Sequence, residues 1–312
     1  MPKAYEFIKA QQRSQEWLEI RKAGLGASDI AAVVGASPYK TPWQLWAEKS
    51  GIAQPQKVGA AAQRGVLLED AVAKWFELET GNRTRNSNGV VRLVDHPWAM
   101  ASLDRTIVGS KDLLEVKTSS SPRWQMYPIP PEVYAQTQWQ AMIMQAPVVW
   151  VAALLGGLVF RLERVEANPE YQRNLFAAGA DFMRRVREGD APELDGKDSS
   201  AYALAHPQAS EQMVEASPEI ERLFNAYKDA SYEAKLAEQH SQDLEVQIKQ
   251  AIGEAAGIFG RGWLATWKQS KPSQVVDWEA IANEVGVNPP LILKHTKERP
   301  GSRRFTWKEA GE

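Results

Sequence analysis

The chain has 312 residues, 44% of them hydrophobic and 24% charged, which is typical of a soluble globular protein with one domain and an extension. With no Cys and four His, disulfides and a cysteine nucleophile are excluded, and any metal must be held by carboxylates. The formal net charge of −2 does not indicate a general nucleic-acid binder. No apolar run suits a membrane span or signal peptide, so we expect a cytoplasmic protein.

The N-terminal part of the chain is predicted to be helical. Capping residues, a first-position proline and terminal glycines predict helices at 14–24, from 28, at 41–51 and at 65–80. On the last of these, the helical period puts Glu69 at the border of the apolar face and Asp70 on the solvated face.

The period then changes to that of strands. Strands are predicted at 89–94, 98–108, 112–118, 148–155 and 158–165, and helices at 130–145 and 169–188. This order predicts an α/β fold of the α+β type, with a mixed central sheet flanked by helices.

Composition divides the chain into a first domain at 1–190, a linker at 191–212 rich in Asp, Gly, Ser and Ala, and a C-terminal extension at 213–312. Apolar residues recur at spacings of three and four over 220–251, which predicts a coiled coil or helical hairpin. The tail is predicted as a small strand-helix-strand unit at 263–269, 278–285 and 303–307. It is basic, with six Lys or Arg against one Glu over 294–308.

The strand at 112–118 carries the residues that suggest chemistry. Its two-residue period puts Glu115 and Lys117 on one face and Leu114 and Val116 on the other. Asp104, eleven residues earlier on the preceding strand, can lie beside Glu115. Two adjacent carboxylates without His or Cys favour Mg²⁺ or Mn²⁺, although an isolated Glu-x-Lys on a strand is more often a surface ion pair.

Three further residues have both a functional and an ordinary interpretation. Gln138 shares a helix face with Tyr134 and could point its amide at the same site, or could simply form hydrogen bonds in the core. Ser28 is first of all a helix N-cap, and Arg21 a helix-surface cation.

Asp104 followed by Glu115-Val116-Lys117 resembles the Asp…Glu-x-Lys signature of the PD-(D/E)XK nuclease superfamily. Segments 13–30 and 39–46 are similar to the opening of YqaJ-type viral recombinases, a family that includes lambda exonuclease. Gly65-Val-Leu-Leu-Glu69 and Tyr134-Ala-Gln136-Thr-Gln138 follow in the expected order. Leu103 stands where the signature often has Pro. The resemblance covers roughly residues 10–165, about half the chain.

The resemblance implies a restriction-endonuclease-like core and a Mg²⁺-dependent deoxyribonuclease that uses one or two ions. It assigns Asp104, Glu115 and the Val116 carbonyl to one metal and Glu69 to a second ion or its water shell. Lys117 is expected to orient or deprotonate the attacking water, Gln138 to help hold that lysine or the nucleophile, and Arg21 and Ser28 to bind the 5′-phosphate of the degraded strand.

In this interpretation a protein encoded by a phage or prophage degrades linear duplex DNA 5′ to 3′ in a bacterial cytoplasm. The 3′ overhangs would pass to a single-strand annealing protein, and the nuclease is expected to form a homo-oligomer. Three alternatives stay open: a PD-(D/E)XK endonuclease, a non-catalytic DNA-end or adaptor module, and a coiled-coil interaction protein acting through 213–257.

Overall fold

The structure, a computed structural model, describes residues 4–10, 14–53, 59–206 and 212–269, together with 281, 284–286 and 294. The chain divides into two compact units, with the boundary between residues 208 and 209. No helix within the described ranges contains an apolar stretch of the length that a bilayer requires. The strand predicted at 303–307 and most of the helix predicted at 278–285 lie outside these ranges.

Helices dominate the described residues. They are α1 (Gln15–Lys22), α2 (Ala27–Val33), α3 (Pro42–Lys49), α4 (Ala60–Thr80), α5 (Arg123–Met126), α6 (Pro131–Met144), α7 (Pro169–Glu188), α8 (Ser199–Ala205) and α9 (Pro218–Ile252), with a short 3-10 turn at Gly196–Asp198. The strands are β1 (Tyr5–Lys9), β2 (Thr84–Asn86), β3 (Gly89–Leu93), β4 (Met100–Ala101), β5 (Arg105–Ile107), β6 (Leu113–Ser119), β7 (Val148–Leu155), β8 (Val159–Glu166), β9 (Gly257–Gly260) and β10 (Trp263–Thr266).

The first unit is built on a five-stranded mixed sheet in the order β2-β5-β6-β7-β8. Neighbouring strands are antiparallel except β6 and β7, which are parallel. A parallel pair needs a crossover connection, and α5 with α6 supplies it. A second, antiparallel sheet has the order β1-β3-β4. The predicted mixed sheet with flanking helices is confirmed.

Helices cover both faces of the central sheet. On α4, Val72 and Phe76 pack with Leu114 and Val116 of β6. On the other face, α6 packs against β7, where Val133 meets Val151. The alternation predicted for β6 is therefore confirmed, and it turns Glu115 towards α6.

The predicted starts of α1 and α3 are confirmed, whereas α4 begins at Ala60 and not at 65, and the start of α2 also shifts. Ser14 and Thr41 cap α1 and α3 through their side-chain oxygens. The N-cap of α2, in contrast, is Gly26, whose backbone N–H donates to Asp29 Oδ2 at 3.0 Å. Ser28 is thus inside the helix and is not its cap, so its hydroxyl is available to other partners.

The segment predicted as one strand at 98–108 is two short strands in different sheets. β4 pairs with β3, whereas β5 pairs with β2 and β6. The residues between them leave one sheet for the other, and this break places Asp104 immediately before β5.

Part of the predicted linker at 191–212 is ordered structure packed on the first unit. Thr41 Oγ1 donates to the buried Asp198 carboxylate, whose Oδ2 also accepts the Asp195 N–H at 2.9 Å. The rings of Tyr202 and Trp43 lie 5.6 Å apart. These contacts correct the linker prediction. A composition rich in Asp, Gly, Ser and Ala suggested a linker and did not reveal that the Asp198 carboxylate is buried against the first unit.

Asp198→Ala should release the segment and destabilise the first unit by about 1 to 3 kcal/mol, because it removes hydrogen bonds to a buried charged group. Urea unfolding measures the stability, and limited proteolysis should show new cleavage between residues 191 and 206. Asp195→Ala, which keeps the Thr41 contact, is the milder control. Unchanged protease resistance in Asp198→Ala would show that apolar packing alone holds the segment.

The described part of the second unit consists of α9 and a β9-β10 hairpin. α9 is one continuous helix of 35 residues, so the helical-hairpin alternative is wrong. Ile252 is its one buried side chain among the described residues, and pairing of α9 as a coiled coil stays a prediction. The strand predicted at 263–269 is β10, and its partner β9 was not foreseen.

Candidate active site

Asp104 lies where the β5-β6 ladder ends. The last backbone pair is Arg105 with Leu114. Beyond it the Val116 N–H donates to Asp104 Oδ2 at 2.8 Å. A carboxylate thus replaces a strand carbonyl, which fixes Asp104 beside β6 and confirms that the two strands bring it near Glu115.

Glu115 is buried, with 2% of its surface exposed, and it is surrounded by donors. Its Oε1 accepts from Lys117 Nζ and Gln136 Nε2, each at 2.6 Å, and its Oε2 accepts from Gln140 Nε2 at 2.6 Å. Lys117 Nζ also donates to Gln136 Oε1 at 2.8 Å. The buried Glu115 and the partly exposed Lys117 therefore form a hydrogen-bonded pair in the cleft and not the surface ion pair that is common for this spacing.

The carboxylates of this site repel one another. Burial, the Glu115 charge and the Glu69 charge hold the pKa of Asp104 well above its ordinary value, despite the nearby Lys117 cation and the Val116 N–H. Burial alone would lower the pKa of Lys117, but the Glu115 and Asp104 carboxylates outweigh it and raise that pKa. The neighbouring carboxylates thus keep Lys117 protonated. The Asp104, Glu115 and Glu69 carboxylates also repel one another, which disfavours the charged form of Asp104.

Glu69 approaches from α4 and is restrained by a cation that the sequence did not suggest. The buried Arg105 guanidinium donates to Glu69 Oε1 at 2.5 Å and to the Asp104 carbonyl at 2.7 Å. It also pairs with Asp70, whose side chain is 91% exposed. Arg105 therefore joins α4 to β5 and orients Glu69 at the border of the site.

A second group of charges comes from α1, α2 and α3. Arg21 Nη2 donates to Ser28 Oγ at 2.9 Å and to Asp29 Oδ1 at 3.2 Å. Lys49 Nζ lies 3.0 Å from the other Asp29 oxygen and donates to the Arg21 and Gly24 carbonyls. Burial would raise the pKa of Asp29, but Lys49 and Arg21 lower it well below its ordinary value. One carboxylate shared by two cations leaves net positive charge beside Ser28.

Members of both groups line one cleft of about 320 Å³. It brings together seven of the eight predicted site residues: Arg21, Ser28, Glu69, Asp104, Glu115, Val116 and Lys117. The described chain therefore has a cleft with carboxylates at one part of its wall and an arginine-serine pair at another.

Gln138 is not in this cleft, and its predicted role is wrong. Its Nε2 donates to the Glu166 carbonyl at 2.7 Å, and its Oε1 accepts from the Asn168 N–H at 2.8 Å. Gln136 and Gln140, four positions apart on the same helix face, contact Glu115 instead. Gln136 belongs to the recognised Tyr134–Gln138 block, so the motif contained a site glutamine that the helix-face argument did not select.

Sequence reasoning also missed Ser102, Lys49 and Arg105. Ser102 lines the cleft and its hydroxyl accepts from Trp17 Nε1 at 3.1 Å. Its position two residues before Asp104 was the available signal. Lys49 and Arg105 gave none, because a terminal helix lysine and a strand arginine are ordinary surface residues until tertiary contacts bury them.

Asp104, immediately before β5, and Glu115-Val116-Lys117 on the neighbouring β6 lie side by side in a mixed sheet, which is the arrangement that the resemblance to PD-(D/E)XK nucleases implies. More particularly, residues 16–147 match the family model of the YqaJ-like viral recombinase domain. This part of the first unit is therefore similar to the YqaJ-like viral recombinase domain, in agreement with the resemblance drawn from the sequence blocks.

Similar proteins come from bacteria and a virus. The Bacillus subtilis (strain 168) protein described as "Uncharacterized protein YqaJ" is 28% identical over 96% of each chain. Protein D345L of African swine fever virus (strain Badajoz 1971 Vero-adapted) is 38% identical over 68 residues, 22% of this chain and 20% of that protein. The Bacillus match extends across both units.

Among solved structures, an alkaline exonuclease (LHK-Exo) from Laribacter hongkongensis is similar with a TM-score of 0.49 and 20% identity, over 57% of this chain and 94% of that chain. A phage-related exonuclease from Haemophilus somnus 129PT gives a TM-score of 0.41 and 11% identity, over 59% and 97% respectively.

Proposed function

We propose that this protein is a divalent-metal-dependent deoxyribonuclease that degrades linear duplex DNA 5′ to 3′ and leaves 3′ overhangs for single-strand annealing recombination. The observation that carries the proposal is the convergence of Asp104, Glu115 and Lys117 in one cleft with Arg21 and Ser28. The similarity to the YqaJ-like viral recombinase domain supports it. A non-catalytic module would have no need for two repelling carboxylates beside a charged lysine.

The donor set fits Mg²⁺ or Mn²⁺. Burial and the neighbouring Glu115 charge raise the pKa of Asp104, and a hard divalent cation would relieve the repulsion between the two carboxylates. Among the described residues, no three carboxylate or imidazole side chains are grouped closely enough to hold an ion by themselves. Mg²⁺ is commonly held by one or two carboxylates with waters and substrate phosphate completing its shell, so Asp104, Glu115 and the Val116 carbonyl suffice, with Glu69 near its water shell.

A bound divalent ion would neutralise charge on the phosphoryl group and activate the attacking water. Lys117 contributes from the protein side. Because the neighbouring carboxylates raise its pKa, its ammonium stays protonated and orients the water by donating hydrogen bonds. Glu115 and Gln136 fix the direction in which that ammonium points.

Arg21 and Ser28 would bind the terminal 5′-phosphate. The guanidinium and hydroxyl are already in contact, and Lys49 offsets the Asp29 charge that would otherwise neutralise Arg21. Because the same cleft contains Asp104 and Glu115, a strand held by its end at Arg21 and Ser28 would run past these carboxylates.

A single comparison tests the function. Purified protein with Mg²⁺ is given linear duplex with a 5′-phosphate, the same duplex with a 5′-hydroxyl, and covalently closed circular DNA. We expect rapid digestion of the phosphorylated end, slow digestion of the hydroxyl end and no cutting of the circle. Cutting of closed circles would assign an endonuclease instead, and no Mg²⁺-dependent digestion of any substrate would reject nuclease activity.

Arg21→Ala should lower the rate ratio between phosphorylated and hydroxyl ends about tenfold or more, because charge-assisted hydrogen bonds contribute about 1.5 to 3 kcal/mol. Ser28→Ala should lower it less, since it removes one neutral partner. Lys22→Ala, on the same helix but paired with the exposed Glu19, is the matched control. If the ratio is unchanged in Arg21→Ala, Arg21 does not bind the 5′-phosphate and has only a structural role.

A further inference from the structure

The three donors on Glu115 are distributed unequally over its two oxygens. Lys117 and Gln136 both donate to Oε1, whereas Gln140 is the one described donor to Oε2. A carboxylate oxygen offers about two lone-pair positions. Oε1 is therefore fully occupied, and Oε2 has one position left.

Among the described residues, Gln140 is a buried polar residue with one unsatisfied oxygen, which lowers stability. It is 1% exposed, and within the described part of the chain its Oε1 has no hydrogen-bond partner. Its Nε2 contacts Glu115 Oε2 and, more weakly at 3.4 Å, the Ser102 carbonyl. An apolar side chain of similar size would fill the same space without an unpaired buried oxygen, so packing does not explain a glutamine at this position.

We propose that Gln140 is a positioning residue for metal binding. Its amide N–H fixes the Glu115 carboxylate so that the remaining lone pair of Oε2 is presented to the divalent ion. The inference deepens the proposed function and rests on it, because it takes Glu115 as a ligand. Partners that orient ligating carboxylates typically change metal affinity by about 10- to 100-fold.

Gln138 provides a matched control on the same helix. It is a fully buried glutamine two residues away, and its amide bonds to the backbone around Glu166 and Asn168. A change from Gln to Leu removes buried hydrogen bonds at either position, but only the change at 140 alters the surroundings of Glu115.

The experiment measures Mn²⁺ binding to the intact chain by isothermal titration calorimetry and, separately, the Mg²⁺ dependence of DNA digestion. For Gln140→Leu we expect a Kd for Mn²⁺ that is about 10- to 100-fold higher than in the wild type. The Mg²⁺ concentration for half-maximal rate should rise in parallel, with a much smaller change in rate at saturating Mg²⁺. Gln138→Leu should lower the melting temperature and leave both metal measurements unchanged.

Gln140→Met keeps the length of the side chain and removes the N–H, so it replaces Gln140→Leu if the latter does not fold. Wild-type Mn²⁺ affinity in either folded Gln140 variant would overturn the inference. So would an equal loss of affinity in Gln138→Leu, which would show a general effect of disturbing α6. If the wild type itself neither binds Mn²⁺ nor digests DNA, the proposed function fails, and this result is distinct from the other two.

Discussion

Lys117→Ala is expected to lower the rate of DNA digestion by about 10² to 10⁴, the range associated with a positioned acid or base group. The ammonium is fixed by Glu115 at 2.6 Å and Gln136 at 2.8 Å, and no other described lysine or arginine donates to Glu115. Its loss leaves the attacking water without a cationic donor. Release of acid-soluble nucleotides from phosphorylated linear duplex measures the rate.

DNA binding by Lys117→Ala, measured by fluorescence anisotropy in Ca²⁺ to prevent digestion, should stay close to that of the wild type. The matched control is Lys74→Ala, because Lys74 pairs with Glu77 on the exposed surface of α4. Wild-type digestion by Lys117→Ala would reject the proposed mechanism. A parallel loss of binding would instead show that Lys117 holds the DNA backbone.

Asp104→Asn should abolish Mg²⁺-dependent digestion and at the same time stabilise the metal-free protein. Charge stabilisation by a catalytic ion is worth several kcal/mol, and each 1.4 kcal/mol is a factor of ten in rate, so a loss of about a thousandfold is expected. The amide oxygen can still accept from the Val116 N–H, but the repulsion from Glu115 and Glu69 is removed.

The raised pKa of Asp104 also predicts how the stability gain of Asp104→Asn depends on pH. Because the folded-state pKa of Asp104 lies above its ordinary value of 3.8, the folded protein binds this proton more tightly than the unfolded chain. The contribution to stability is complete at pH below the ordinary value and is lost as pH rises through the raised pKa. Asn does not titrate, so without divalent ions the advantage of Asp104→Asn should grow with pH. Denaturant melts at several pH values measure it, and an advantage independent of pH would contradict the raised pKa.

Local signals were sufficient to predict much of this site. Ser14 and Thr41 mark helix starts because their side chains accept hydrogen bonds from free backbone N–H groups of the first turn. This capping is local and does not depend on what the helix packs against. The alternation in β6 assigned Glu115 and Lys117 to one face, since the period of a strand does not depend on its neighbours. Tertiary structure then buried Glu115 and placed Lys117 in the cleft, which spacing alone could not show.

The error at Gln138 has a physical cause. Residues on every side of α6 are buried, among them Ala135, Gln138, Trp139 and Gln140. A helix buried all round has no polar face by which to orient it, so the sequence offered three glutamines without indicating which of them faces β6. The ordered segment around Asp198 was missed for a related reason, because isolated contacts such as those of Asp198 with Thr41 and of Tyr202 with Trp43 leave no periodic pattern.

The parallel pairing of β6 and β7 also sets the order in which the site can form during synthesis. β6, with Glu115 and Lys117, leaves the ribosome before α6, which carries Gln136 and Gln140, and before β7. Glu115 lacks its amide donors until residues 136 and 140 have been added, and one edge of β6 stays unpaired until β7 is complete at residue 155. The nascent chain therefore cannot form the complete site before β7 has been synthesised. By that point most of the first unit has been made.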